Sequence, residues 1–191
     1  MIEFFQQNMN HFMFVMLLIS RLGDVVSTLL ATPRLKLEAN VIARKLGKPF
    51  VFLTLLIAFI AYYDVALAVA VLIPSLLVSS GNLGKVWVMR KLGEDGYQAL
   101  LAGLVRKHGV KGQILFNALS ACFIALVGAV LLVLAPDPRD GGFWAAVGFF
   151  IYAFALVFWG TINSLTLRRK LSKGGDAREA RDDSGPRRVS E

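Results

Sequence analysis

The sequence predicts an all-α, polytopic integral membrane protein: a bundle of five transmembrane helices with its N-terminus outside and its C-terminus inside. Three observations carry this. Of 191 residues, 56% are apolar and 18% charged, with a mean hydropathy of +0.61, whereas a soluble chain is about 45–50% apolar and about 25% charged. The apolar residues gather in blocks of roughly the 20 residues that cross a bilayer core. Finally, the 21 Lys and Arg, set against 13 Asp and Glu, fall almost entirely in segments that this topology places on one side, as the positive-inside rule requires.

The first block, Phe12 to Ala31, is one span. The second, Phe50 to about Val78, is too long for one hydrocarbon core and contains Tyr62, Tyr63 and Asp64, an interfacial aromatic pair beside a charge. It reads either as a single long span, giving four in all, or as a hairpin of Phe50 to Tyr63 followed by Val65 to about Met89. Charge decides for the hairpin. It puts Arg34, Lys36, Arg44, Lys45 and Lys48 on the same side as Arg90, Lys91, Arg106, Lys107 and Lys111 and the basic tail, with Lys85 just inside the helix end and able to snorkel out, leaving only Arg139 opposite and Arg21 within the membrane. A single long span would strand the first group outside. The cost is a short helix, since Phe50 to Tyr63 rises only about 21 Å against a core of about 30 Å. The last two spans are Gln113 to Ala135 and Phe143 to Leu167.

Between the third and fourth spans, residues 94–108 predict a cytoplasmic amphipathic helix. Tyr97, Leu100, Leu101, Leu104 and Val105 repeat at helical spacing, with Glu94 and Asp95 at the start and Arg106 and Lys107 at the end. Its expected partner is the anionic headgroup surface of the membrane lipids. Nucleic acid is not expected, because no recognition motif or aromatic interleaving accompanies the positive charge. The bundle thus covers residues 1–171, and the charged tail, 172–191, is expected to be disordered. Cys122 stands alone in an apolar block, so neither a disulfide nor a thiolate metal site is available. The N-terminal stretch has Glu3 and no basic run, which does not read as a cleaved signal peptide.

The chemistry concentrates in the first span. Ser20, Arg21, Asp24, Ser27 and Thr28 share about one third of the helical wheel. At mid-bilayer Arg and Asp each cost about 2.5–3.5 kcal/mol, whereas each Leu, Val or Phe returns only about 0.3–0.6. The pair must therefore turn inward, where three-residue spacing lets the two charges neutralise each other. It reads as a structural lock or as part of a site. The third span adds Ser75, Ser79 and Asn82, the fourth Asn117 and Ser120, and the fifth Asn163 and Thr166. Under the five-span topology Asp24, Ser27, Thr28, Ser79, Asn82, Asn117, Ser120, Asn163 and Thr166 share the cytoplasmic half. After Pro33, Glu38 and Asn40 lie in a short interfacial segment that can close the mouth of the cluster. Asp24, Glu38 and Asn40 would then offer the hard oxygen ligands suited to Mg²⁺, Ca²⁺ or Na⁺.

Asp24 and Thr28, followed by Glu38, one residue and Asn40, resemble the pattern of a small multi-pass prokaryotic membrane family of unknown function with an Asp, a Thr and a Glu-x-Asn-Pro segment. The likeness covers residues 20–47, and Val41 stands where that family has Pro. It implies a prokaryotic plasma (inner) membrane and marks Asp24, Glu38 and Asn40 without assigning them a role.

The site expected from these residues is a cytoplasm-facing polar pocket of Arg21, Asp24, Thr28, Glu38, Asn40, Asn82, Asn117 and Asn163, used to transport or bind a cation or a lipid headgroup, in a homo-oligomer or with a membrane partner subunit. Two other classes stay open. One is an accessory or scaffold subunit, with the polar stripes as packing glue. The other is a metal-dependent enzyme acting on a lipid headgroup. Serine hydrolase chemistry is disfavoured, because His11 and His108 lie far along the chain from Ser79 and Ser80, and no nucleophile elbow, zincin or Walker motif is present.

Overall fold

The computed structural model describes the backbone of residues 8–35 and 41–182 and the side chains of 8–35 and 42–169. Within them the fold is all-α, with no strand. Three helices are long and apolar enough to cross a membrane: Met9–Ala31, Val65–Leu134 and Gly141–Arg169.

Helix α1, Met9–Ala31, has 23 residues and is about 34 Å long. Its buried seam of Met13, Leu17, Ser20, Ser27 and Ala31 advances by helical repeats, while Val15, Ile19, Leu22, Val26 and Leu30 are exposed. A soluble helix would bury the second set. Here hydroxyls face inward and aliphatic side chains outward, an arrangement suited to surrounding hydrocarbon, where small and polar residues hold helices together. The same inversion recurs later in the chain, where Ser75 and Ser164 are buried while Phe123, Val133 and Phe154 are exposed. This is a membrane protein.

A short helix α2, Val41–Leu46, leads through Gly47 into α3, Lys48–Tyr63, with Pro49 in its first turn. Residues Thr54–Phe59 of α3 are wound as a 3-10 helix, which rises about 2.0 Å per residue instead of about 1.5. The whole of α3 is therefore about 27 Å long, nearer to bilayer thickness than Phe50 to Tyr63 promised. Asp64 ends it with an extended backbone (φ −155°, ψ 116°) and caps the next helix, its Oδ1 accepting from the Ala66 and Leu67 amides at 2.7 and 3.2 Å. The long apolar block is thus two helices, and the chain reverses between them.

Contacts fix the helix directions. The Tyr62 hydroxyl and His11 Nδ1 are hydrogen-bonded at 3.0 Å, Phe14 packs on Phe59 and Tyr62, and Val25 clusters with Val51, so α3 runs antiparallel to α1. The following helix runs parallel to α1, because Arg21 meets Ser75 and Thr28 meets Asn82 with the same sequence separation of 54. The 70-residue tract Val65–Leu134 is interrupted by non-helical, positive-φ glycines at Gly93 (φ 66°, ψ 172°) and Gly109 (φ 72°, ψ 165°). Glycine suits both points, since a Cβ is disfavoured there. The tract therefore comprises α4 (65–92), α5 (94–108) and α6 (110–134). Val105 of α5 is buried, and burial also pushes the Tyr97 phenol above its usual value of 10.0.

Helix α7, Gly141–Asp182, packs on both α4 and α6. Pro74 has no N–H to offer the Ala70 carbonyl one turn back, and Gly148 sits at that carbonyl, so close that a Cβ there would lie 2.8 Å from the oxygen and 2.9 Å from Ile73 Cβ. On the other side Gly128 lies against Ala146 and Phe149, and Gly160 against Asn117, which makes α6 antiparallel to α7. The α1 N-terminus, Asp64 and the 135–140 loop consequently share one end of the bundle. The loop after α1, helix α5 and Arg168 and Arg169 of α7 share the other, where the basic residues collect. The α7 backbone continues to Asp182, and the rest of the tail expected to be disordered lies outside the described residues.

Candidate functional site

The inward stripe of α1 meets the polar stripe of α4 in one hydrogen-bond network. Arg21 Nη1 donates to Asp24 Oδ2 at 2.7 Å and to Ser75 Oγ at 3.0 Å. The Ser75 hydroxyl in turn donates to the Val71 carbonyl at 3.1 Å. Two turns along, Asn82 Nδ2 donates to Thr28 Oγ1 at 2.9 Å, and Thr28 Oγ1 lies 3.5 Å from Asp24 Oδ1 as its donor. Asp24 is thus held on both carboxylate oxygens from within α1, by Arg21 and by Thr28, and each of these also bonds a side chain of α4. The pair is 13% and 14% exposed, so its charges are little screened by solvent.

A cavity of about 80 Å³ opens beside this network, room for several waters. Its polar lining is Arg21, Asp24, Thr28 and Thr54, and its apolar lining Val25, Ala43, Phe50 and Val51. It lies between α1, α2 and α3. The chain folds back near it at Leu35, a buried residue with a left-handed backbone (φ 53°) that clusters with Val25, Ala43 and Val51. That conformation costs about 1–2 kcal/mol for a non-glycine residue, which the burial of the side chain in this cluster offsets. The same loop is tied to α5: the Arg34 amide donates to Glu94 Oε1 at 2.8 Å, and Arg34 Nη1 lies 3.9 Å from Asp95.

Among the expected site residues, Arg21, Asp24, Thr28 and Asn82 come together. Asn117 stands apart: its Oδ1 accepts from Gln113 Nε2 at 3.5 Å within α6, and its side chain packs on Gly160 of α7. Asn163 is half-buried on α7. Glu38 and Asn40 lie outside the described residues. Sequence reasoning passed over Thr54, which lines the cavity from α3, and gave Ser75 no part in the site; a lone Thr in an otherwise apolar helix was the available signal. Among the described residues no three His, Cys, Asp or Glu side chains are grouped to hold a metal ion. Arg21 Nε is buried and without a hydrogen-bond partner among the described residues.

Comparison of the chain with protein-family models, curated proteins and solved structures finds no match.

Proposed function

We propose that this is a five-span protein of a prokaryotic inner membrane, N-terminus outside and C-terminus inside, whose α1/α2/α3 cavity binds the polar headgroup of a membrane lipid as a step in its handling or transport. The topology is supported by the bundle's charge asymmetry, with Asp64, Asp137, Arg139 and Asp140 at one end and the basic clusters at the other. The observation that carries the functional reading is the Arg21–Asp24 pair at 2.7 Å on the wall of a cavity that also has hydroxyls and an apolar side. Asp24 already has a guanidinium beside it, which opposes a bare cation. A group with its own phosphate or carbonyl oxygen finds the Arg21 guanidinium and the Thr28 and Thr54 hydroxyls, while Phe50 and Val51 accept its hydrocarbon.

Filling the cavity without touching the ion pair tests this. Purified in mild detergent, the wild-type chain is expected to retain lipid at fixed stoichiometry by mass spectrometry, and Thr54→Leu to lose it while keeping its melting temperature. Equal lipid retention by both proteins, or none by the wild type beyond loosely associated lipid, would count against the reading. The accessory-subunit reading has one specific observation behind it: the network joins α1 to α4 at two points two turns apart, as packing glue would. A stoichiometric protein companion together with no retained lipid would favour it.

A further inference from the structure

The cavity proposal leaves α5 unused, and its surface is sorted in a way the helical wheel alone does not show. The apolar stripe is divided. Val105 is buried and Tyr97 and Leu101 are half-buried toward the protein, whereas Leu100 and Leu104 point out, 45% and 42% exposed. Lys107 follows one turn after Leu104 on that outer face, and Arg106 and Lys111 are exposed nearby. The two carboxylates of the helix, Glu94 and Asp95, are instead engaged by Arg34 at the α5 N-terminus. The outward face is therefore apolar with a basic border and no acidic member. Just before Gly93, Trp87 is 69% exposed with Lys91 Nζ 5.2 Å above its ring, a pairing at home in the headgroup layer.

Geometry gives the face its direction. The positive-φ breaks at Gly93 and Gly109 turn the chain at both ends of α5, and its N-terminus is tied to Arg34 of the loop after α1, at the end of the bundle where α4 leaves and α6 begins.

We propose that α5 is a membrane-surface strap that binds anionic phospholipid headgroups, its Leu100 and Leu104 entering the acyl boundary and Arg106, Lys107 and Lys111 contacting lipid phosphates. Its tie to Arg34 links that surface to the loop that follows α1.

The test uses the full chain with Cys122→Ser and Leu104→Cys, nitroxide-labelled and reconstituted into vesicles of phosphatidylcholine alone or with one quarter phosphatidylglycerol. With the anionic lipid, the label is expected to become accessible to oxygen and shielded from a water-soluble nickel relaxant. Each basic residue removed among Arg106→Gln, Lys107→Gln and Lys111→Gln should lower the docked-to-undocked ratio roughly fivefold, and about 0.5 M salt should have the same direction of effect. Should the triple variant misfold, the salt titration of the parent chain decides alone. A label equally water-accessible in both vesicle types overturns the proposal, as does protection at position 104 seen only in native membranes, which would assign the face to a protein partner. Neither outcome depends on whether the cavity holds lipid.

Discussion

Replacing either member of the Arg21–Asp24 pair is expected to destabilise the protein far more than replacing both. The pair is bonded at 2.7 Å with side chains 13% and 14% exposed. Removing one partner leaves a charge facing a mostly apolar interior, at a cost of about 3–5 kcal/mol. Removing both by residues of similar volume eliminates the stranded charge and is often close to neutral. Arg21→Met and Asp24→Leu should thus each lower the melting temperature in detergent by about 10 °C, taking about 2–4 °C per kcal/mol for a chain of this size, while the double variant should regain most of it. Not all is regained, because Ser75 Oγ loses the Arg21 donor and Thr28 its carboxylate acceptor. The assay is a double-mutant cycle on thermal unfolding, followed by the intrinsic fluorescence of the three tryptophans. Single variants within about 2 °C of wild type, or a double variant equal to the sum of the singles, would refute the burial argument. The double variant also separates lock from site: folded but empty of lipid, it would show that the pair serves the cavity; folded and lipid-loaded, that it serves packing alone.

Gly148→Leu should destabilise the α4–α7 contact, since even a Cβ would lie 2.8 Å from the Ala70 carbonyl oxygen and 2.9 Å from Ile73 Cβ; about 1–3 kcal/mol is expected from overpacking, read as a lower melting temperature. Single cysteines at positions 64 and 139, in a Cys122→Ser background, should react with an impermeant maleimide in intact cells, and one at position 111 only after permeabilisation; labelling of 111 from outside would invert the topology. Burial raises the Tyr97 phenol above 10.0, so the folded state holds this proton more tightly than the unfolded chain. Its effect on stability is therefore absent below about pH 10 and becomes increasingly unfavourable as the pH climbs from there through the raised value. Tyr97→Phe should melt with a shallower decline than wild type across that range, and identical profiles would show that Tyr97 titrates normally.

The readability of the fold follows from which forces act locally. Hydrocarbon-length blocks and turn residues are properties of adjacent positions, which is why Asp64, with its carboxylate free to cap residues 66 and 67, marks the reversal in the sequence and makes it in the structure. The length of α3 was not legible in the same way. Its six-residue 3-10 stretch packs along α1 and has no signal of its own within Thr54–Phe59, and a helix drawn at a uniform rise comes out too short.

The candidate site divides along the same line. Arg21, Asp24 and Thr28 share one helical face, and desolvation requires them to turn inward, so their meeting with one another could be read from spacing alone. Their meeting with Asn82 and Ser75 rests on α1 and α4 lying parallel, a relation set once the hairpin brings α4 back in the direction of α1. Common depth did not suffice for Asn117, which stands on the α6 face turned to Gly160. Depth in a membrane is one coordinate and facing is another. Charge asymmetry informs the first, whereas the second is decided by where a glycine lets two helices approach. In this bundle Gly148, Gly128 and Gly160 draw α7 onto α4 and α6, leaving α1, α2 and α3 to enclose the cavity on the other flank of α4, with Arg21 on its wall.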